Sequence, residues 1–431
     1  MRNVVTTLCL GLLLMSGQPT WGDGGEGEAE SFKDTLRAMQ ERIKELENEV
    51  RQLKNAPPPA PVAASDTSGL EKRLDYLEGL SILKGIEIHG LVAGDYTYSL
   101  NRPKSKVNTP ILFNQNDNTF SLNQANIEIS KSAENGGLGF LADVDFGETA
   151  EIVGSATRWS NNPNNTESNN SIELRQAYLT YKFSIGNGLT LKAGKFVTPF
   201  GAEVIKSWNN FNYNISNSIL FGYAIPFTHT GVLGNYSFND YVGLDLGLVN
   251  GWDNVADNNS GKTVLVNLTL KPHEKFTVYT GGSYGPEQNN RSGSNRALIS
   301  TVATYKPLDR LTLMLEHDYG HETDIVANSS GALTKNADWH GVAGYAIFSL
   351  TDKLSASVRG EYFGDPEGVR TGLRQDLWEV TPTVWYTIAE GFLARFEYRH
   401  NNSNKDYFQG STTDGFSSGQ DVFATELIYG F

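Results

Sequence analysis

The sequence predicts an all-β protein, a closed antiparallel transmembrane β-barrel of about 16 strands, preceded by an N-terminal α-helical coiled coil. Three observations predict it. From Ile86 to Phe431, apolar and polar residues alternate at period two, the spacing of strands with one dry and one wet face. The connections between these segments alternate short and long, as in barrels with tight turns on one side of a membrane and extended loops on the other. Before Asn55, apolar residues instead recur every three or four positions, the heptad spacing of a coiled coil.

Composition fits this reading. The 431 residues include 44 glycines, 11 % aromatics and only 19 % charged residues, which suits many strands, tight turns and aromatic rings. A formal charge of −14 argues against a nucleic-acid partner, which asks for a basic patch. The one cysteine, Cys9, falls inside an apolar stretch from Val4 to Met15. Residues 1–22 read as a secretory signal peptide, with Thr20 and Gly22 as the small residues before cleavage. A lipoprotein signal fails because Cys9 sits within the apolar core instead of after it. No disulfide or thiolate metal site is then expected in the mature chain.

An acidic segment follows at 23–30, then the heptads at 31–54. Leu36, Ile43 and Val50 take position a; Phe32, Met39, Leu46 and Leu53 take d. Arg42 with Glu47, and Glu49 with Lys54, then form pairs that favour parallel association. Dimer or trimer stays open, as does a single amphipathic helix. Residues 55–69, with Pro57, Pro58, Pro59 and Pro61, read as a semi-rigid linker. A short helix is expected over 70–84, with Leu70, Leu74, Leu77 and Leu80 on one face.

The barrel proper is expected over 85–431. Its strands are placed near 86–98, 119–131, 138–149, 172–183, 188–197, 227–238, 241–251 and 261–271. The second eight lie near 275–284, 296–306, 310–319, 338–350, 353–363, 375–388, 391–400 and 421–431. In the last, Phe423, Thr425, Leu427, Tyr429 and Phe431 share one face, opposite Val422, Ala424, Glu426, Ile428 and Gly430. Phe120–Ser130 and Ile172–Phe183 change phase midway, which a β-bulge accommodates. Short turns such as Asn239-Asp240 and Thr351-Asp352 alternate with long connections, among them 101–118, 150–171, 198–226, 285–295 and 320–337. The apolar face then meets lipid, and the polar face lines water.

A barrel this wide is expected to enclose an aqueous channel. The inward charges are the candidate lining: Asp95, Asp143, Asp145, Lys192, Asp245, Glu316, Asp318, Arg359, Glu361, Arg395, Glu397 and Arg399. The Arg395/Glu397/Arg399 run, with Arg359 and Glu361, is expected to form a ladder of opposite charges on the inner wall. The third long loop, 198–226, carries Val204, Ile205, Trp208, Phe211, Ile219, Leu220 and Phe221. So apolar a loop needs shelter from bulk water. It is expected to fold into the barrel and narrow it, with Glu203, Lys206, Asn209 and Asn210 at the constriction. The alternative is a lid on neighbouring loops or a subunit contact.

Enzyme and metal signals are weak. Gly281-Gly-Ser-Tyr-Gly285 matches a nucleophile-elbow pattern, but no helix follows to build the elbow. His317 and His321 would lie about 13 Å apart on a strand, too far to share a metal. Asp253 to Ser260 reads as a solvated polar loop before a calcium loop. No catalytic residue, metal or cofactor is assigned.

The segments Arg175-Gln-Ala-Tyr-Leu-Thr-Tyr181, Leu191-Lys-Ala-Gly-Lys-Phe-Val-Thr-Pro-Phe-Gly-Ala-Glu203 and Ile225-Pro-Phe-Thr-His-Thr-Gly231 carry a resemblance. From about Gly90 to Phe431 the chain resembles the OmpL-like β-barrel porin family of Gram-negative outer membranes. That resemblance implies passive diffusion of small hydrophilic solutes, without fixing the solute. Tyr429 and Phe431 look like the signal read by the barrel assembly machinery. The heptads lie outside the family pattern and look like periplasmic coiled coils that oligomerise outer-membrane proteins or reach the cell wall. The runner-up reading is a structural anchor, a plugged barrel carrying the coiled coil; an outer-membrane hydrolase comes third.

Overall fold

The structure, a computed structural model, describes residues 85–157, 171–326 and 333–431, together with Glu41, Lys44 and Asn48, each of which is helical. The signal peptide, acidic segment, linker and short helix expected at 1–30 and 55–84 lie outside the described residues. Of the coiled coil expected at 31–54, only those three positions fall within the described residues.

The described residues from Ile86 form a closed antiparallel barrel of sixteen strands in which each strand pairs with its sequence neighbours. These are β1 (Ile86–Ser99), β2 (Thr119–Lys131), β3 (Leu138–Phe146), β4 (Ile172–Phe183), β5 (Leu189–Val197), β6 (Thr228–Ser237), β7 (Val242–Val249) and β8 (Thr263–His273). Then come β9 (Phe276–Gln288), β10 (Arg291–Leu308), β11 (Leu311–Val326), β12 (Leu333–Ser349), β13 (Leu354–Asp365), β14 (Gln375–Ala389), β15 (Phe392–Ser403) and β16 (Gly419–Gly430). The seam closes between β1 and β16, with Asp95 opposite Glu426. Just beyond it, Phe431 and Gly90 exchange backbone hydrogen bonds of 2.9 Å in both directions. Every strand of the barrel thus has a neighbour on both sides, the condition for strands to cross a lipid bilayer.

Alternation decides the faces. On β16, Leu427 and Tyr429 are exposed while Val422, Ala424, Glu426 and Ile428 are buried. The same outward exposure recurs at Ile88, Leu179, Leu246, Val358 and Phe396. Both phase changes are bulges. Register slips opposite Ala93 and Gly94, leaving Asn123 extra on β2, and opposite Asp143 and Val144, leaving Arg175 extra on β4. Each bulge buries two consecutive side chains, Asn123 with Gln124 and Arg175 with Gln176.

Three expectations need correction. The third strand ends at Phe146 instead of 149, because Gly147 adopts a φ of 94° and a Cβ there would meet Leu122 O at 2.5 Å. The chain then enters helix α1 (Glu148–Ala156). The expected loop at 285–295 is instead a continuation of β9 and β10, joined through Asn289 and Asn290, the latter with a φ of 58°. Likewise β11 and β12 run on to Val326 and from Leu333. These extensions carry polar residues on both faces, so the period-two signal fades although the pairing persists. Finally, the inner wall is not polar throughout. Leu233, Val249, Leu265, Leu298, Trp339 and Ile347 belong to an internal apolar cluster with Phe200, Ile205, Leu220, Phe221 and Ile225 of the third loop.

Candidate functional site

The site is the contact between the barrel's inner wall and the loop 198–226. Leaving β5 at the long-loop end, this segment reaches the opposite, short-turn end. There Trp208 stacks on His89, the fourth residue of β1, with ring centroids 3.7 Å apart. Beside it Phe211 packs on Leu91, Ala93 and Ile428. Ser207 and Asn210 exchange backbone bonds of 2.8 and 3.1 Å, so the tip is a tight turn. The return limb contains a π-helical turn at Leu220–Ala224.

Wall carboxylates hold this limb by its backbone. Glu397 accepts the amides of Ile215 and Ser216 at 2.6 and 3.0 Å, and Glu361 accepts those of Ile219 and Leu220 at 2.6 and 3.1 Å. Wall cations take the carbonyls: Arg359 Nη1 donates to Ser216 O at 2.8 Å, and Arg399 Nη1 to Asn217 O at 2.7 Å. Irregular backbone away from bulk water needs every donor and acceptor met, and charge-assisted bonds are the stronger kind.

The expected constriction residues divide. Glu203 is buried and receives Arg359 Nη1 at 2.7 Å and the Ser218 amide at 2.8 Å. Lys206 is buried too, with its ammonium 2.6 Å from Glu426 and 3.1 Å from Asn123 Oδ1. Asn209 and Asn210 are exposed at the tip. Of the twelve expected lining charges, Asp95, Asp143, Asp145, Glu316, Asp318, Arg359, Glu361, Arg395, Glu397 and Arg399 are buried. Only Lys192 and Asp245 stay partly exposed, toward the short-turn ends of β5 and β7. Lys192 lies 4.4 Å above the Tyr178 ring, while Asp245 accepts from Asn235 and Asn267.

Of the expected charge ladder, Glu361 lies 3.7 Å from Arg399 and 4.0 Å from Arg359, while the shorter pairs bring in Glu379, Glu426 and Arg175, which were not among the expected members. Arg359 pairs with Glu379 of β14 at 2.6 Å, Arg395 with Glu426, and Arg175 with Asp143 at 2.5 Å and Asp145 at 3.5 Å. Alternation along β14 places Glu379 on the same face as Thr381 and Thr383, so its signal was available. Arg175 is the bulged residue of β4, where alternation cannot assign a face.

Two further loops bring carboxylates to the long-loop end. Glu148, at the start of α1, accepts the Gln115 amide at 3.2 Å and Asn116 Nδ2 at 2.9 Å. Burial, then the nearby Asp95, pushes its carboxyl up to about 7. Asp253 accepts the amides of Phe227 and Thr228, each at 2.8 Å, and burial pushes it up to about 6. Its carboxylate fastens the end of the third loop. Among the described residues no group of three or more His, Cys, Asp or Glu is arranged to hold a metal ion, and no helix is long and apolar enough to cross a membrane.

One wall position tests this packing. The Trp339 indole N–H donates to Ala224 O at 3.0 Å. It lies flat over Gly320, where a Cβ would meet the ring at 1.9 Å. Gly320→Ala is expected to displace the ring and release the return limb, costing about 1–3 kcal/mol. A lower urea midpoint, followed by tryptophan fluorescence, checks it.

A closed sixteen-stranded barrel with an apolar outer belt and a loop drawn inside defines a porin-like outer-membrane β-barrel. The family model described as "Putative beta-barrel porin-2, OmpL-like" matches residues 85–431, and the chain belongs to that family. Solved structures share the fold. The Pseudomonas putida OprB structure at high pH gives a TM-score of 0.53 at 10 % identity, covering 83 % of this chain and 97 % of that one. The outer-membrane channel DcaP of Acinetobacter baumannii gives 0.52 at 12 %, covering 80 % and 97 %. The trimer form of Vibrio cholerae OmpT gives 0.52 at 14 %, covering 80 % and 99 %. No curated protein matches the chain.

Proposed function

We propose that the protein is an outer-membrane porin through which small hydrophilic solutes or ions diffuse passively, along a lumen narrowed by its third extracellular loop. The observation that carries this reading is the loop's attachment to inward-facing side chains around the wall: Gln124 on β2, Arg175 on β4, Glu361 on β13, Glu397 on β15 and Glu426 on β16. Membership of a porin family supports it. The short turns then face the periplasm, where the coiled coil joins copies as a dimer or trimer or touches the cell wall; the trimeric OmpT structure favours association. The exposed Tyr429 and Phe431 serve as the assembly machinery's signal, and the outward apolar face contacts outer-membrane lipid.

A second reading is favoured by one specific observation, the burial of ten of the twelve inward charges. It makes the barrel a plugged structural anchor for the coiled coil. Reconstitution in planar bilayers separates the two. Stepwise single-channel currents are expected for the porin; a silent membrane containing correctly folded barrels rejects it in favour of the anchor.

A further inference from the structure

The buried charge of the barrel does not balance. Among the described residues, sixteen Asp and Glu are buried against six Lys and Arg. Some of these carboxylates are satisfied by backbone amides, as Glu361 and Glu397 are. The deficit is sharpest on β11. Glu316 and Asp318 share one strand face, their Cα atoms about 7 Å apart and their carboxyl groups near enough to interact directly, and neither is accessible to solvent.

Their partners are neutral or missing. Glu316 Oε1 accepts the Ala202 amide at 3.1 Å, and Oε2 lies 3.4 Å from the Tyr345 hydroxyl. That hydroxyl also lies 3.2 Å from Glu203 Oε1. With one proton to donate, it cannot satisfy both carboxylates. Among the described residues, neither oxygen of Asp318 makes a well-formed hydrogen bond; its polar neighbours are Ser300, directly across on β10, and the carboxyl of Glu316, both close enough to interact with it. The nearby guanidinium of Arg359 is engaged by Glu203 and Glu379 at 2.7 and 2.6 Å. A buried carboxylate without a counter-charge is strongly unfavourable, and here two stand side by side.

We propose that Glu316 and Asp318 form a binding site for a hard divalent cation of the calcium class, completed by the hydroxyls of Ser300 and Tyr345. Two carboxylates match a divalent charge. An all-oxygen donor set suits calcium, which tolerates irregular geometry that magnesium does not. With only two protein carboxylates, the affinity falls at about 10⁻⁴–10⁻³ M, the range of weak calcium modules. The site lies where the third loop leaves the wall, since the same Glu316 holds Ala202, so an ion there fastens the loop's first limb.

Terbium chloride, titrated into the folded full-length barrel in detergent with tyrosine excitation, tests this. The wild type is expected to give saturable terbium emission that calcium displaces and equal magnesium does not. Asp318→Asn is expected to weaken terbium binding at least tenfold while keeping the heat-modifiable migration of a folded barrel. Calcium should raise the unfolding temperature of the wild type and leave that of Asp318→Asn unchanged. The site is overturned if the wild type shows no calcium-displaceable emission, or if Asp318→Asn binds as tightly. It is equally overturned if Asp318→Asn unfolds at a higher temperature whatever the calcium, which marks a shared proton. None of these readouts requires ion flow, so they stand apart from whether the barrel conducts.

Discussion

Planar bilayers holding a chain that lacks Ile205 to Ile219 are expected to pass several times the current of the intact barrel. The deleted stretch contains the tip stacked on His89 and the backbone held by Glu397. Its loss leaves seven loop residues on each side, 198–204 and 220–226, to join strands only about 5 Å apart. The wall itself can therefore close as before, through ladders that run without the loop. What remains inside is a sixteen-stranded cylinder lined by Arg359, Arg395, Arg399, Glu361 and Glu397, wide enough for water. Unchanged conductance in a folded deletion variant would remove the loop from the permeation path and with it the constriction.

The second large effect is on stability. Arg359 has no solvent exposure and touches Glu203 and Glu379 directly, with Glu361 4.0 Å away. Arg359→Ala leaves three carboxylates converging on an empty position. Breaking such a buried arrangement from one side costs about 3–5 kcal/mol, read from the urea dependence of folding into detergent or lipid. Arg359→Lys should rescue only part of the loss, because an ammonium cannot reproduce the planar fork that reaches Glu203, Glu379 and Ser216 together. Adding Glu379→Gln to Arg359→Ala should recover some stability by removing one orphaned charge. A wild-type urea midpoint for Arg359→Ala would mean that solvent screens these groups and that the loop is not seated on them.

The comparison of sequence with structure divides along one physical line. Wherever a strand has an apolar, outward-exposed face, the pattern is imposed on both: β2, β4 and β14 lie within a residue of their expected bounds. The loop's inward fold was legible for a related reason, since Ile205, Ile219 and Phe221 have no other shelter. Where the outer face turns polar, the constraint lapses. The extended hairpin of β9 and β10 looked like an unstructured loop, because paired strands in water need no dry face. The interior charges were legible as inward-facing, but their partners were not. Glu203 meets Arg359 across 156 positions and Lys206 meets Glu426 across 220, and no local period records such a meeting. The apolar patch around Leu265 and Leu298 was hidden likewise: an inward leucine makes sense only once a loop covers it.

The third loop also bears on how the molecule is made. Its limbs grip early strands through Asn123 and Arg175 and late ones through Arg395 and Glu426, while the last strand must still zip against the first. A cylinder sealed beforehand would oblige this bulky stretch to thread a finished bore and find all its grips at once. The plainer order is that the stretch is already laid in the half-rolled sheet when the final seam draws shut, so that the cargo helps set the curvature of its own container.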